Sequence, residues 1–300
     1  MVDLKTSMAK IETSAFPTWK TATLAIPLLV LLCGGLWFYH AEKSAARLKA
    51  QQQLAAIAHL KVDQLVAWRK ARQDDSILLT NTAPLIKSVT AYFSDPEGTS
   101  IAELRSQLHS LKEHGQYAKL LVVDLEGRVR LSLNGQQETL NGYAAALAEA
   151  LRTYRPVFTD LHTEAQQPEP HISLVVPFFS ADRRASRPLG AIVLINYATQ
   201  FLQPLLDSWI KPSKSMEVML VRRDDDAVVF LSELRQHFAA APKAPTPLHL
   251  AGSLAAMAAT GQEGFVEGDD FRGIESLAVL LPVPDSDWRL IAKDEAAEIF

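Results

Sequence analysis

The sequence predicts an α+β protein with an apolar helix near its N terminus, a long polar helix after it and two small antiparallel sheets. Three observations predict this. Residues 21–39 are apolar and carry no charged side chain, residues 41–80 contain neither glycine nor proline, and the remainder alternates short apolar runs with turn residues. A chain of 300 residues, 48% of them hydrophobic, is long enough for about two domains.

Composition excludes several classes of protein. The net charge is −4, whereas a protein that binds nucleic acid usually carries an excess of basic residues, so we expect no nucleic-acid partner. The only cysteine is Cys33, which excludes a disulfide scaffold and a four-cysteine zinc site.

The apolar segment predicts a membrane helix at residues 21–39. Nineteen helical residues extend about 28 Å, close to the hydrocarbon thickness of about 30 Å. Trp19 lies at one edge, and Trp37 and Tyr39 lie at the other, as in the aromatic belts of membrane helices. A cleaved signal peptide is the alternative. Three basic residues on each side leave the orientation open, and residues 1–20 form the predicted N-terminal tail.

Residues 40–80 are predicted to form a stalk helix, because Ala, Leu, Gln, Lys, Arg and Glu dominate them. Apolar side chains recur near helical spacing at Leu54, Ile57, Leu60, Leu65 and Trp68. This stripe would pack along a tethered domain. A coiled-coil seam is the alternative.

After the break at Pro84, the pattern predicts a first domain over residues 81–198. The predicted elements are a helix at Ser100–His114, a hairpin of Tyr117–Asp124 and Arg128–Leu133, a helix at Asn141–Leu151, and strands at Pro156–Leu161, His171–Phe179 and Leu189–Tyr197. The stretches Thr163–Pro170 and Asp182–Pro188 are predicted to be turns.

A linker at residues 199–214, marked by Pro204 and Pro212, precedes a second domain over residues 215–300. The predicted strands are Ser215–Arg223, Ala227–Leu231, Gly264–Gly268, Glu275–Val283 and Trp288–Lys293, and an alanine-rich segment spans Phe238–Thr260.

The sequence contains no motif for catalysis or metal binding. Walker A, GxGxxG, HExxH and GxSxG motifs are absent. His109 and His114 are about 140° apart around a helix, too far to share a metal ion. The aspartates at 224–226 and 269–270 lack the spacing of a calcium loop. We therefore expect no enzyme, metal or cofactor, although a hydrolase with an unrecognised site remains an alternative.

A ligand pocket is the remaining possibility. A sheet that packs helices on one face can leave the other face concave. Polar and amphipathic groups on or beside the strands of the first domain are the candidates to line such a pocket: Tyr117, Asp160, His171, Ser173 and Tyr197.

Three phrases in the soluble part resemble the double Cache extracellular sensors of bacterial receptors: LKVDQLVAWRKARQDD (60–75), FLQPLLDSWIKPSKSMEVMLVRRDDDAVVFLSELR (201–235) and GQEGFVEGDDFRGIESLAVLLPVPDSDWRLIAKDE (261–295). Together with the membrane helix, the resemblance covers about residues 21–300. It implies two PAS-like domains on one helix, the first membrane-distal and ligand-binding, with residues 1–20 in the cytoplasm and the soluble part in the periplasm.

Receptors of this kind are sensor histidine kinases of two-component systems or diguanylate cyclases. They return through a second membrane helix to an output domain, and neither feature follows here before Phe300. The Tyr, Arg, Trp, Tyr and Asp constellation that binds amino acids in some double Cache receptors is not recognisable either, so the ligand class is not implied.

These observations predict a single-pass inner-membrane sensory module that binds a small solute for transmembrane signal transduction, as a homodimer. The alternative is a membrane-anchored interaction or assembly factor.

Overall fold

The computed structural model describes residues 18–96, 98, 100–133, 142–164, 167–179, 188–208, 213–232, 245–250 and 253–300. Within these residues the chain forms seven α-helices and twelve β-strands, and the strands form two antiparallel sheets. The predicted α+β class with two sheets is therefore confirmed.

The longest element is α1, Thr18–Asn81, with 64 residues. The predicted membrane segment and stalk thus belong to one helix. The chain divides into two compact units, residues 1–50 with Phe300 and residues 51–299. The predicted tail, up to residue 17, lies outside the described residues.

In the first unit, α1 presents large apolar side chains to solvent. They are Leu29, Val30, Leu31, Leu32, Leu36, Trp37, Phe38 and Tyr39. Among the described residues, no helix combines the length and the hydropathy needed to cross a bilayer. The membrane span predicted at residues 21–39 is therefore not confirmed.

In the second unit, α1 buries a stripe of side chains at Leu54, Ala58, Val62 and Leu65. Their spacing of three and four residues places them on one helix face. Leu60, predicted to belong to this stripe, is instead 48% exposed.

Two helices follow α1. α2 is Ala83–Ser94, and α3 is Ser100–Gly115. Pro84 was predicted only to break the helical pattern. The structure places Pro84 in the first turn of α2, where a backbone N–H would have no acceptor within the helix, so its absence costs nothing.

The first sheet contains six strands in the order β2-β1-β6-β5-β3, with β4 paired to β5. The strands are β1 Lys119–Val123, β2 Val129–Ser132, β3 Val157–Phe158, β4 His162–Glu164, β5 Gln167–Phe179 and β6 Pro188–Tyr197. The predicted β1–β2 hairpin is confirmed, and Gly127 adopts a φ of 78° in its turn, which glycine tolerates without strain. The predicted turn at Thr163–Pro170 is wrong, since these residues belong largely to β4 and β5.

Each face of the first sheet packs against helices. One face carries Leu120, Val122, Leu174 and Ile192 in a core with α2 and α3. The opposite face, which we call the α4 face, packs against α4, Ala144–Thr153. A sheet covered on both sides alternates apolar residues toward both cores, which explains the continuous apolar character of β1, β5 and β6.

A further helix, α5 (Ala198–Asp207), occupies the start of the predicted linker and contains Pro204. Lys61 of α1 is completely buried against its C-terminal end. The Lys61 Nζ donates to the Leu205 carbonyl oxygen at 2.6 Å and to the Ser208 carbonyl oxygen at 3.3 Å. Burial lowers the pKa of Lys61, and Asp207 partly offsets this. Since helix C-termini present unpaired carbonyl oxygens, Lys61 satisfies this end of α5.

The second sheet has the order β10-β11-β12-β7-β8-β9. Its strands are β7 Glu217–Asp224, β8 Ala227–Phe230, β9 Thr246–Pro247, β10 Gly264–Asp269, β11 Glu275–Pro282 and β12 Trp288–Glu295. The helix α6, Ser253–Ala259, packs on one face, and α7, Ala296–Ile299, follows β12. All five strands predicted in this region are confirmed, and their ends differ from the prediction by at most two residues.

A candidate ligand site on the first sheet

The alternation of side chains along β5 and β6 brings three predicted site residues to the α4 face. His171 pairs directly with Tyr197, and Ser173 pairs with Ile195. Residues opposite each other in an antiparallel pair point to the same face. Ile195 belongs to the core of the α4 face, and Tyr197 packs against it. His171, Ser173 and Tyr197 therefore lie together.

A histidine that sequence reasoning missed joins this group. His162 of β4 pairs with His171 in register, and their ring centroids are 4.4 Å apart. The Tyr197 ring meets the His171 ring edge-on at 6.4 Å. We call His162, His171 and Tyr197 the aromatic row.

Backbone carbonyl groups orient both imidazoles of the row. The His162 Nδ1 lies 2.8 Å from the Asp160 carbonyl oxygen, and the His171 Nδ1 lies 3.0 Å from the Glu169 carbonyl oxygen. A carbonyl oxygen only accepts, so Nδ1 carries the proton in each ring. In the neutral rings, Nε2 is then the acceptor nitrogen.

Ser173 and Thr159 extend the polar surface beside the row. The Thr159 N–H donates to the Ser173 carbonyl oxygen, and the Ser173 N–H donates to the Thr159 Oγ1, each at 2.8 Å. The Thr159 hydroxyl thus accepts the bond from the Ser173 N–H that a backbone carbonyl oxygen would accept in a continuous strand pair. His171 and Ser173 are each only 1% exposed.

The rest of the α4 face is apolar. Ala146, Leu147 and Ala150 of α4 pack onto Val175 and the neighbouring strands. The Tyr143 hydroxyl, just before α4, donates to the Gly127 carbonyl oxygen at 2.9 Å. The polar groups of the row therefore adjoin the apolar core beneath α4, and small-molecule sites combine oriented polar groups with apolar surroundings in this way.

Asp160 makes different contacts from the three residues on the α4 face. Its Oδ1 accepts from the Trp288 Nε1 of the second sheet at 2.7 Å, and its Oδ2 forms an ion pair with Arg222. The structure thus connects its carboxylate to the second sheet, and its predicted role in ligand binding stays a prediction.

Tyr117 contributes to the other core. Its ring packs with Leu104 and Leu108, and the guanidinium of Arg72 lies 5.1 Å from its centroid. Its hydroxyl is buried without a hydrogen-bond partner among the described residues. Burial raises the pKa of Tyr117, and the proximity of Arg72 only partly offsets this. The structure does not bring Tyr117 to the row.

The second sheet contains a buried cluster of charges. The Lys293 Nζ, fully buried, lies 3.0 Å from the Asp270 Oδ2 and 3.7 Å from the Glu217 Oε2. Arg272 forms ion pairs with Asp270 at 2.6 Å and with Glu295 at 2.7 Å. Desolvation alone would raise the pKa of Asp270, but hydrogen bonds and charges from Arg272 and Lys293 lower it. Since each charge of the cluster lies within 4 Å of an opposite charge, we assign the cluster a structural role.

The described residues also line an open groove of about 850 Å³ at one end of the second sheet. Its lining mixes both signs of charge: Arg223, Asp225, Asp226, Ala259, Ser286, Asp287 and Arg289. Arg223 already contacts Asp226, and Arg289 contacts Glu263. Within the described part of the chain, no group of three or more potential ligands is placed to hold a metal ion.

No family model matches the sequence, and no curated protein matches it significantly. Solved structures do match. The ligand-binding domain of the Campylobacter jejuni chemoreceptor Tlp3, in complex with L-norvaline, is 13% identical with a TM-score of 0.62, covering 85% of this chain and 94% of that one.

Two further matches come from pseudomonads. The ligand-binding domain of the Pseudomonas aeruginosa amino acid chemoreceptor PctC, in complex with GABA, is 16% identical (TM-score 0.56, 81% of this chain and 98% of that one). That of the Pseudomonas fluorescens chemoreceptor CtaA, in complex with L-serine, is 14% identical (TM-score 0.55, 84% and 99%). All three neighbours are ligand-binding domains of chemoreceptors. The chain therefore has the fold of chemoreceptor ligand-binding domains, as its resemblance to double Cache sensors implies.

Proposed function

We propose that this chain is the sensory part of a transmembrane receptor and that it binds a small solute at the aromatic row. The observation that carries this proposal is the convergence of His162, His171, Ser173 and Tyr197 on one face, beside the apolar surface under α4. Such a surface offers a few oriented polar groups for recognition and apolar area for affinity.

The proposed ligand class is a small polar molecule with an apolar portion. Imidazole, phenol and hydroxyl groups recognise polar headgroups by hydrogen bonds, and the α4 core would contact a short apolar chain. L-Norvaline, L-serine and GABA, which the neighbours bind, are molecules of this size. Amino acids are therefore the first compounds to test.

The membrane anchor also belongs to this proposal. We infer that residues 21–39 anchor the protein in the inner membrane, with residues 40–300 in the periplasm. The exposed apolar side chains between Leu29 and Tyr39 support this, since large apolar patches on a surface mark sites of contact with a membrane or a partner.

The proposed organisation keeps the predicted domains: the stalk at 40–80, a membrane-distal domain at 81–198, a linker at 199–214 and a membrane-proximal domain at 215–300. We further propose a homodimer through α1. Leu60 and Ile77, each 48% exposed on this helix, support that interface.

A thermal-shift screen of the full chain in detergent tests the proposal. We expect one class among amino acids, amines and carboxylic acids to raise the melting temperature saturably. At a ligand concentration 100 times the dissociation constant, binding raises the free energy of unfolding by about 2.7 kcal/mol, which corresponds to several degrees in melting temperature.

His171→Gln and Tyr197→Leu should abolish this rise. The matched control is Tyr154→Leu, which changes an exposed tyrosine near the C-terminal end of α4. If no compound raises the melting temperature, or if the two variants bind as the wild type does, the solute sensor is excluded in favour of the interaction factor.

A further inference from the structure

A single carboxylate, that of Asp160 between β3 and β4, contacts two neighbouring strands of the second sheet. The Asp160 Oδ1 accepts from the Trp288 Nε1 at 2.7 Å, and the Oδ2 is paired with Arg222. Arg222 on β7 and Trp288 on β12 are directly opposite each other in register. Trp288 is only 3% exposed, so a change in its indole hydrogen bond affects a buried side chain.

The backbone of the same aspartate belongs to the candidate site. Its carbonyl oxygen lies 2.8 Å from the His162 Nδ1, and the His162 ring packs against His171. The Leu161 N–H also donates to the Asp160 Oδ1 at 2.7 Å. This bond ties the carboxylate to its own backbone, so a displacement of the peptide at residue 160 moves the carboxylate with it.

The pairing of β4 with β5 permits such a displacement. The register shifts between His162 and Glu164, and residues 159–161 lie between β3 and β4 without belonging to either strand. Asp160 itself is 42% exposed on its side chain, so few packed neighbours restrain it.

A polar contact between α1 and this end of the second sheet is weaker. The Arg69 Nη1 donates to the Pro284 carbonyl oxygen at 3.4 Å, and this contact is exposed. Two short, charge-assisted contacts at Asp160 therefore outweigh it.

We propose that Asp160 couples the aromatic row to the second sheet, so that a rearrangement of His162 changes the environment of Trp288. Asp160 acts here as a positioning residue. For a bound solute, the coupling rests on the proposed function, because the solute must contact the row. The coupling itself does not depend on a ligand and is testable without one.

Fluorine NMR of the full chain labelled with 5-fluorotryptophan tests the coupling. The five tryptophans give five signals, and Trp288→Phe identifies the one from Trp288. We expect His162→Gln to shift the Trp288 signal. The matched control is His114→Gln, since the Nδ1 of this exposed histidine also lies 2.8 Å from a backbone carbonyl oxygen, that of Ser110. The control should leave the Trp288 signal in place.

The His162→Gln substitution is then tested in a protein that lacks the Asp160 carboxylate. In an Asp160→Ala background, His162→Gln should no longer move the Trp288 signal. If Asp160→Ala fails to fold, Asp160→Asn replaces it, since the amide keeps an acceptor for Trp288 but loses the charge that pairs with Arg222. In this second background, a reduced shift is expected. An unmoved signal in the wild-type background, or an equal shift in either Asp160 background, overturns the proposal.

A ligand experiment separates this proposal from the proposed function. A compound that raises the melting temperature through His171 but leaves the Trp288 signal unmoved contradicts the transmission of binding to the second sheet and supports the sensor. If no compound binds while His162→Gln still moves the signal, the coupling stands and the sensor function fails.

Discussion

At the scale of single residues, two buried tyrosines in the core under α2 and α3 differ in one hydrogen bond. The Tyr92 hydroxyl donates to the Arg130 carbonyl oxygen at 2.5 Å, whereas the Tyr117 hydroxyl has no partner among the described residues. A buried polar group without a hydrogen-bond partner destabilises the folded state, whereas one that is hydrogen-bonded stabilises it.

We therefore expect Tyr92→Phe, but not Tyr117→Phe, to destabilise the protein. Tyr117→Phe should leave the free energy of unfolding unchanged or raise it by up to about 1 kcal/mol, and Tyr92→Phe should lower it by about 1 kcal/mol. Urea denaturation of both variants measures this. Equal losses would contradict the difference in hydrogen bonding.

The lowered pKa of Asp270 indicates how the stability of the second sheet depends on pH. Its folded-state pKa is lowered, despite desolvation, by Arg272 and Lys293. A carboxylate with a lowered pKa contributes stability that is fully present above its unfolded pKa of about 3.9 and is lost as the pH falls through the folded value. The loss should therefore begin as the pH falls to about 4.

Asp270→Asn should remove this contribution. At pH 7 we expect a loss of about 3–5 kcal/mol, because Lys293 then stays buried without its nearest carboxylate. Asp269→Asn changes an exposed neighbour and is the matched control. Denaturation curves from pH 3 to 7 compare them, and a loss of the same size in both variants would contradict the assigned role of the cluster.

At the scale of elements, Lys61 joins α1 to α5. It donates to the carbonyl oxygens of Leu205 and Ser208 and to the Gln64 Oε1. Lys61→Met keeps the length of the side chain but removes the donor, so we expect a loss of about 1.5–3 kcal/mol. Lys70→Met, at an exposed position of the same helix, should change stability by less than about 0.5 kcal/mol. Thermal unfolding of both variants checks this, and similar melting temperatures would exclude the role of Lys61.

Elements defined by local signals could be predicted from the sequence. The hairpin of β1 and β2 follows from strict alternation around a Glu-Gly turn, and β7 and β8 flank a run of aspartates. The elements that were missed depend on tertiary contacts. α5 contains Pro204, yet Leu202 and Leu206 are buried, so packing outweighs local propensity.

The candidate site could be predicted only in part, for a related reason. The alternation of β5 groups His171 with Ser173, and this is visible in the sequence. The position of His162 depends on the register between β4 and β5, which no local pattern encodes. The contacts of Asp160 with Arg222 and Trp288 join residues more than 60 positions apart, and the sequence offers no signal for them.

At the scale of the whole molecule, residues 51–299 form a compact unit that contains both sheets. We expect a fragment of these residues to fold and to bind the same solute as the full chain, since the cores of both sheets lie inside it. Circular dichroism and thermal shift of the fragment measure this. A fragment without a cooperative transition would show that residues 1–50 are required for folding.

Because β5 packs on both of its faces, it tolerates insertions poorly. Inserting one residue directly after Ile172 would exchange the faces of all strand residues that follow it, so that Leu174 turned to the α4 face and Ser173 to the core beneath α2 and α3. We therefore expect related sequences to differ in β5 by substitutions and not by insertions or deletions.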